Sequence, residues 1–312
     1  MRREGSPWQG LGVVVLKELS DHFGSVRMRV LEWLVVLVAL AAVYGAIQNI
    51  RAVTAEDPFL FLHLFTTARE PLPSFVSFLG FLVPLMAIGL GFDAVNGEHN
   101  RRTLSRILAQ PIYRDALLFG KFLAGLATLS VSLIALWLLV IGLGLIMLGV
   151  PPGSEEMARA FLLLVVTIAY AGVWLALAML FSTIFRSPAT AALVTLGLWL
   201  FLTLIWPALS PAIAEAVVWS ENQATLVITA QMLARLSPST LFGECVMAIP
   251  HPSTRTLGPV YVSQLQGAVM GSPLPFWDSL MVAWPQIVGL IASTIVLFVG
   301  GYVAFQRQEV RA

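Results

Sequence analysis

The sequence predicts an all-α, polytopic membrane protein with six transmembrane helices, and three observations carry that prediction. Hydrophobic residues make up 58% of the 312 residues and charged residues only 11%, whereas a water-soluble domain devotes roughly 25% of its residues to charge. Mean hydropathy is +0.86. The apolar residues are gathered into six runs, at approximately 31–50, 73–92, 120–150, 160–185, 189–209 and 283–305, each near or above the roughly 20 residues that cross a bilayer as a helix.

Taken in order, residues 1–30 precede the first run. Arg2 and Arg3 are basic, but the apolar run 11–16 stops at Lys17, too short for the core of a cleavable signal, so this start is expected to remain in the mature protein. Within 11–30, "LGVVVLKELSDHFGSVRMRV", Val15, Leu19, Phe23, Val26 and Val30 recur at spacings of three and four. That spacing predicts an amphipathic helix lying at the membrane interface, either as a plain anchor or as a working part. Residues 31–209 hold spans one to five. The third run is overlong and must tilt or begin below the membrane.

Residues 210–282 form a connector of over seventy residues. Loops of that length without structure are uncommon, and "SPAIAEAVV", "NQATLVITAQMLARL" and a capped start at Ser237 or Ser239 predict short helices. Residues 283–312 give the sixth span and a tail.

Six spans place both termini on one side, and positive charge selects the side. With the termini inside, the inner segments hold Arg2, Arg3, Lys17, Arg27, Arg29, Arg101, Arg102, Arg106, Arg114, Lys121, Arg186, Arg307 and Arg311. The outer segments hold Arg51, Arg69, Arg159, Arg235 and Arg255. Both termini are therefore expected in the cytoplasm, and 210–282 outside.

The sequence also excludes functions. A net charge of +1 offers no concentrated basic surface for nucleic acid. The single Cys245 allows neither an intrachain disulfide nor a cysteine zinc cluster. No P-loop, His-Glu-x-x-His or Gly-x-Ser-x-Gly motif occurs, so no catalytic residue is assigned. His22, His63, His99 and His251 fall in four separate segments. Met232, Cys245, Met247, His251 and Met270 are soft-metal ligand types without a known spacing, and no metal site is assigned. Ionisable groups are nearly absent from the spans, with Glu32, Asp93 and Lys121 near span ends. That argues against a proton-coupled carrier or an ion channel. Hydroxyls at Thr128, Ser130, Ser132, Thr167, Tyr170, Thr195 and Thr203 are expected to bond between helices.

The densest charge lies in the connector after span two. There Asn96-Gly97 predicts a turn, Glu98 stands four residues before Arg102 in the favourable order for an ion pair, and Pro111 ends the segment. Leu104, Ile107 and Leu108 share one helical face, while Arg102 and Arg106 project from another. A short helix at about 96–110, greasy on one side and cationic on the other, suits either anionic lipid or docking into another protein.

"FDAVNGEHNRRTLSRILAQPIYRDALLFGKF" (92–122) resembles the signature region of ABC-2 type permeases, most closely the NosY-like branch. "LSPSTLFGE" (236–244) and "FQRQEVRA" at the C-terminal end match further pieces, so the resemblance covers nearly the whole chain. Gly97, Glu98, Thr103, Leu104, Pro111, Arg114, Gly120 and Lys121 match the motif, and Arg102 stands where that family usually has Gly.

The resemblance implies the transmembrane subunit of an ATP-binding-cassette exporter of type V architecture in the inner membrane. It implies pairing with a second copy, two copies of a separate ATPase that binds ATP and Mg, and no cofactor in this chain. Residues 96–110 would be the coupling helix, with Gly97, Glu98, Arg101, Arg102, Thr103, Leu104, Arg106, Ile107, Leu108, Pro111 and Arg114 its working residues, braced by the interfacial N-terminal helix. The alternative is a non-transporting scaffold or an accessory subunit of an assembly machine.

Overall fold

A backbone that crosses hydrocarbon must pair its N–H and C=O groups within the segment, so long apolar runs become helices. The computed structural model describes residues 8, 10–52, 59–70, 72–100, 113–149, 151–218, 223–257 and 273–307. In chain order the helices are α1 (Leu11–Gly24), α2 (Val26–Ala52), α3 (His63–Thr66), α4 (Phe75–Gly91), α5 (Asn96–Asn100), α6 (Arg114–Leu148) and α7 (Ser154–Ile184). There follow α8 (Pro188–Leu200), a π-helical turn η1 (Phe201–Ile205), α9 (Trp206–Val217), α10 (Gln223–Ala234), α11 (Pro238–Ala248) and α12 (Phe276–Arg307). Among the described residues the one β-type contact is an isolated bridge between Arg69 and Leu72.

Six helical runs are long and apolar enough to cross a membrane: Val26–Ile50, Phe75–Asn100, Arg114–Leu148, Ser154–Ile184, Pro188–Val217 and Phe276–Arg307. All six expected spans are present in an all-α, multi-pass membrane protein. Several extend beyond the apolar windows because helical hydrogen bonding continues into polar flanks.

The N-terminal segment departs from expectation. The helix expected over 11–30 stops at Gly24, where Ser25 turns extended (φ −76°, ψ 137°). The Ser25 hydroxyl accepts from the Met28 N–H at 3.1 Å and so starts α2. Glycine is a poor helix interior and serine a good N-cap, so this pair ends one helix and begins the next. The buried stripe also differs: α1 buries Val14 and Glu18, while Phe23, Val26 and Val30 are exposed.

The bundle is built around α7, whose span is 67% buried against 11% for Pro188–Val217. Small residues let neighbouring helices approach it closely. A Cβ at Gly91 would lie 2.8 Å from the Ala178 Cβ, and one at Gly301 would lie 3.4 Å from the Leu180 backbone. Helices α4 and α12 are the main partners of α7, and α1 packs along the first half of α6.

The fifth span is interrupted at η1. Pro207 has no N–H to give the carbonyl of Thr203, and its ring crowds that carbonyl. The chain widens by one residue, so that the Trp206 N–H bonds Phe201 O, five back. Residues 206–217, part of which was expected to belong to the outer connector, continue the span as α9.

Candidate functional site

The connector expected to do the work is described at its two roots. Gly97 and Glu98 lie on α5, and Arg114 opens α6 half-buried. Arg101, Arg102, Thr103, Leu104, Arg106, Ile107, Leu108 and Pro111 lie outside the described residues. The turn falls at 92–95, and Asn96-Gly97 open the short helix instead of forming the turn.

The incoming root is held by the far end of α7. Ser182 Oγ accepts from the N–H groups of Val95 and Asn96 at 3.0 and 3.3 Å. The Asn96 and Asn100 side-chain amides donate to the carbonyls of Phe185 and Arg186, each at 3.1 Å. Helix α5 is thereby tied to the α7–α8 corner.

Lys121, on the first turns of α6, is the centre of the charge at this end. Its side chain is 5% exposed, and Nζ lies 2.9 Å from Glu18 Oε1 on α1 and 2.7 Å from Glu98 Oε1 on α5. One ammonium thus joins three elements. The expected partner of Glu98, Arg102, lies outside the described residues.

Lys17 also donates to Glu18 at 2.8 Å and pairs with Asp21 at 2.9 Å. Burial alone would raise the Glu18 carboxyl, but the Lys121 charge and the bonds from Lys17 and Lys121 outweigh it, holding that carboxyl below its ordinary value. Partial burial would lower the Lys17 ammonium, and bonds to Glu18 and Asp21 reverse this to a net rise. Burial lowers the His22 imidazole, which therefore stays neutral at neutral pH, with Nδ1 3.1 Å from Thr128 Oγ1 on α6.

The close packing of α1 on α6 has a steric cause. A Cβ at Gly120 would lie 2.6 Å from Val14 Cγ1, so only glycine admits α1 at this depth. Beside it, Arg27 at the start of α2 grips Asp93 through both guanidinium nitrogens at 3.1 and 3.2 Å and lies 4.8 Å from the Phe92 ring centroid. These groups frame a cleft of about 770 Å³, lined in part by Lys17, Glu18, His22, Asp93, Glu98 and Lys121. Glu18 and Ser182 were not singled out from sequence, His22 was read only as one of four separated histidines, and Asn96 only as half of a turn. The available signal was the row Val14, Glu18, His22, Ser25 at spacings of four and three, a polar stripe along one side of α1.

At the opposite end, "LSPSTLFGE" becomes a packing junction. Ser237 precedes α11. Ser239 Oγ meets Tyr170 Oη at 3.0 Å and Thr203 Oγ1 at 2.8 Å, and Phe242 stacks on Tyr170 with centroids 4.4 Å apart. Glu244 accepts from Arg235 at 2.9 Å, Gln231 at 3.0 Å and Gln286 at 2.8 Å. Arg159, with no exposed surface, donates to Glu155, Ser279 and the carbonyls of Ile249 and Leu274. A cavity of about 710 Å³ opens between α9, α10 and α11.

Of the soft-metal ligand types, Met247 and His251 both line that cavity. Cys245 is buried, and burial pushes its thiol up to about 12, while Met232 and Met247 are exposed and Met270 lies outside the described residues. Among the described residues no group of three His, Cys, Asp or Glu side chains could hold a metal. The span hydroxyls divide between the two possibilities. Thr128, Ser130, Thr167 and Thr195 donate to carbonyls four residues back in their own helices, while Thr128 (to His22), Ser132, Tyr170 and Thr203 meet side chains on other helices, as expected.

Comparison with known proteins gives a consistent result. The family described as "ABC-2 family transporter protein" matches residues 13–310. A "Probable ABC transporter permease protein NosY" of Pseudomonas aeruginosa is 33% identical over 148 residues, 46% of this chain and 52% of that protein. The protein of the same description from Stutzerimonas stutzeri is 31% identical over 143 residues, 46% of this chain and 51% of that protein. The matched stretch thus spans about half the length of each curated relative.

Proposed function

This chain belongs to the ABC-2 transporter family, and from that premise we propose that it is the transmembrane permease subunit of an ATP-driven exporter. It works as a pair of identical copies with two copies of a separate ATPase, which supplies ATP and Mg. The end bearing α1 faces the cytoplasm of the inner membrane, in keeping with the thirteen Lys and Arg residues expected there against five on the other side. Residues 210–282 lie outside.

Coupling runs through residues 96–110. Leu104, Ile107 and Leu108 pack into the ATPase, and Arg101, Arg102 and Arg106 meet its acidic groups. One observation carries this reading: Lys121 is bound at once to Glu18 and Glu98. A push on the 96–110 segment reaches α1 and α6 through that ammonium. It reaches the α7–α8 corner through Ser182, Asn96 and Asn100. A connector that merely rested on lipid would gain nothing from ties to three different helices.

The test is retention of an ATPase after gentle detergent extraction from the native host. The wild type is expected to hold a stoichiometric P-loop protein. The variant Arg102→Glu/Arg106→Glu/Leu104→Ala should lose that protein, or its stimulation, while keeping the thermal stability of the wild type. A triple variant that bound and stimulated the ATPase normally would refute the coupling assignment. Reproducible absence of any ATPase from the wild type would favour the scaffold or accessory-subunit alternative.

A further inference from the structure

Glu32 is a carboxylate on a membrane-spanning helix for which the coupling cluster has no use. Arg27 answers Asp93, and Lys121 answers Glu18 and Glu98. Glu32 has no cationic partner among the described residues; its polar contact is the Ser132 hydroxyl of α6, donating at 2.9 Å. The pair sits in a lateral recess of about 260 Å³ whose other walls are apolar, including Phe23, Val35, Met86, Val131 and Leu139. An ionisable side chain in such surroundings costs free energy unless something answers its charge.

The depth of the recess limits what that can be. Glu32 lies six residues after Val26, the first residue of α2, which is about 9 Å along the helix axis. Trp33 beside it is 67% exposed, in keeping with the aromatic layer at the headgroup boundary. Arg29, one turn nearer the helix start, is exposed and makes no ion pair among the described residues. Among the described residues, a cation and a carboxylate without ion-pair partners thus stand one turn apart, at a distance from the helix start that suits the level where headgroups meet acyl chains. The recess is smaller than the roughly 300 Å³ at which pockets for whole drug-sized ligands begin, so its occupant continues outward, as an acyl chain does.

We propose that Glu32, Ser132 and Arg29 form a binding site for a zwitterionic aminophospholipid. The primary ammonium is held by the Glu32 carboxylate and the phosphate by Arg29, while one acyl chain lies along Val35, Val131 and Leu139. Selectivity comes from the N–H donors. A primary ammonium gives the carboxylate charge-assisted hydrogen bonds, and a trimethylated one cannot. The inference does not depend on the exporter reading.

The experiment is native mass spectrometry of the purified, delipidated chain, titrated with lipids of equal acyl composition. Phosphatidylethanolamine, its mono- and dimethyl derivatives, phosphatidylcholine and phosphatidylglycerol form the series. The wild type should retain phosphatidylethanolamine about tenfold better than phosphatidylcholine, the scale of one charge-assisted hydrogen bond, with stepwise loss on methylation. Glu32→Gln, which can still bond Ser132, should abolish that preference and leave the melting temperature unchanged.

Equal retention of phosphatidylethanolamine, phosphatidylcholine and phosphatidylglycerol by the wild type would overturn the proposal, as would a preference that survives in Glu32→Gln. Because the methylation series is read on the wild type, misfolding of the variant would not shield the idea. Glu32-dependent binding of a single-chain alkylamine without any headgroup preference would overturn the lipid assignment in favour of a free amine.

Discussion

At the scale of the residue, Lys121 and Gly120 set how α1 is held. Removing Lys121 leaves Glu18 with the more exposed Lys17 and takes from the enclosed Glu98 an ammonium at 2.7 Å. Lys121→Met should therefore cost about 3–5 kcal/mol, read as lowered resistance to unfolding in detergent, and Lys121→Arg should recover part of it. An unchanged stability in Lys121→Met would mean that the cluster is an ornament.

Steric fit gives an independent check at the neighbouring residue. Gly120→Ala must displace Val14 and should cost about 1–3 kcal/mol, whereas Gly142→Ala on the same helix has nothing within 4 Å and should gain up to about 1 kcal/mol through helix propensity. If the two variants behaved alike, the α1–α6 contact would be wrong.

Acid should loosen the same contact. His22 and Glu18 both sit below their ordinary values of 6.5 and 4.5 in the fold. The unfolded chain takes up protons first as pH falls, and stability declines first on the His22 limb and then on the Glu18 limb. Melting temperature recorded against pH should show this fall, and His22→Asn should flatten its upper part.

Gly120 and Lys121 stood out in the sequence as motif positions, but their pairing with α1 did not. A glutamate on an amphipathic helix reads as solvent-facing, and its counter-charge lies 103 positions away at Lys121.

At the scale of the element, the spans were legible because hydrocarbon thickness and the helical rise fix both length and composition. The end of α1 was less so, since the apolar spacing runs on through Val26 and Val30 while Gly24 and Ser25 break the helix. The interruption of the fifth span was missed as well, although Pro207 and Pro211 were in view. Prolines are tolerated in spanning helices, and sequence does not say whether one kinks, ends or widens the helix.

Here the cause can be tested. Pro207→Ala restores the missing donor and should return η1 to α-helical register, turning Thr203 away from Ser239. A Thr203→Cys/Ser239→Cys pair, placed where the hydroxyls are 2.8 Å apart, should oxidise readily in the native helix and fail to do so with Pro207→Ala. Equal cross-linking in both would show that the π-turn is imposed by packing instead.

At the scale of the whole molecule, the two ends differ in kind. The α1 end concentrates charge pairs that join α1, α5 and α6, and neutral hydrogen bonds tie α5 to the α7–α8 corner. The opposite end encloses Arg159 and Glu244 among carbonyls, amides and packed aromatics. The number of spans foretold which segments share an end, because alternation leaves no further freedom, and charge asymmetry bears only on which end faces which side. Which end meets the cytoplasm is a separate matter, and a labelling experiment decides it.

Cys245 supplies a quiet background for that experiment. It is fully buried, with its thiol pushed up to about 12, and only the thiolate reacts with a maleimide. The wild type should therefore stay unlabelled from either side. Ser20→Cys, on the exposed side of α1, should react only when the reagent reaches the inner face of the membrane. Met232→Cys, 63% exposed on α10, should react with a membrane-impermeant reagent in intact cells. The reverse pattern would place α1 and the Lys121 cluster outside the cell, out of reach of any ATP-hydrolysing partner, and coupling through residues 96–110 would fall with it.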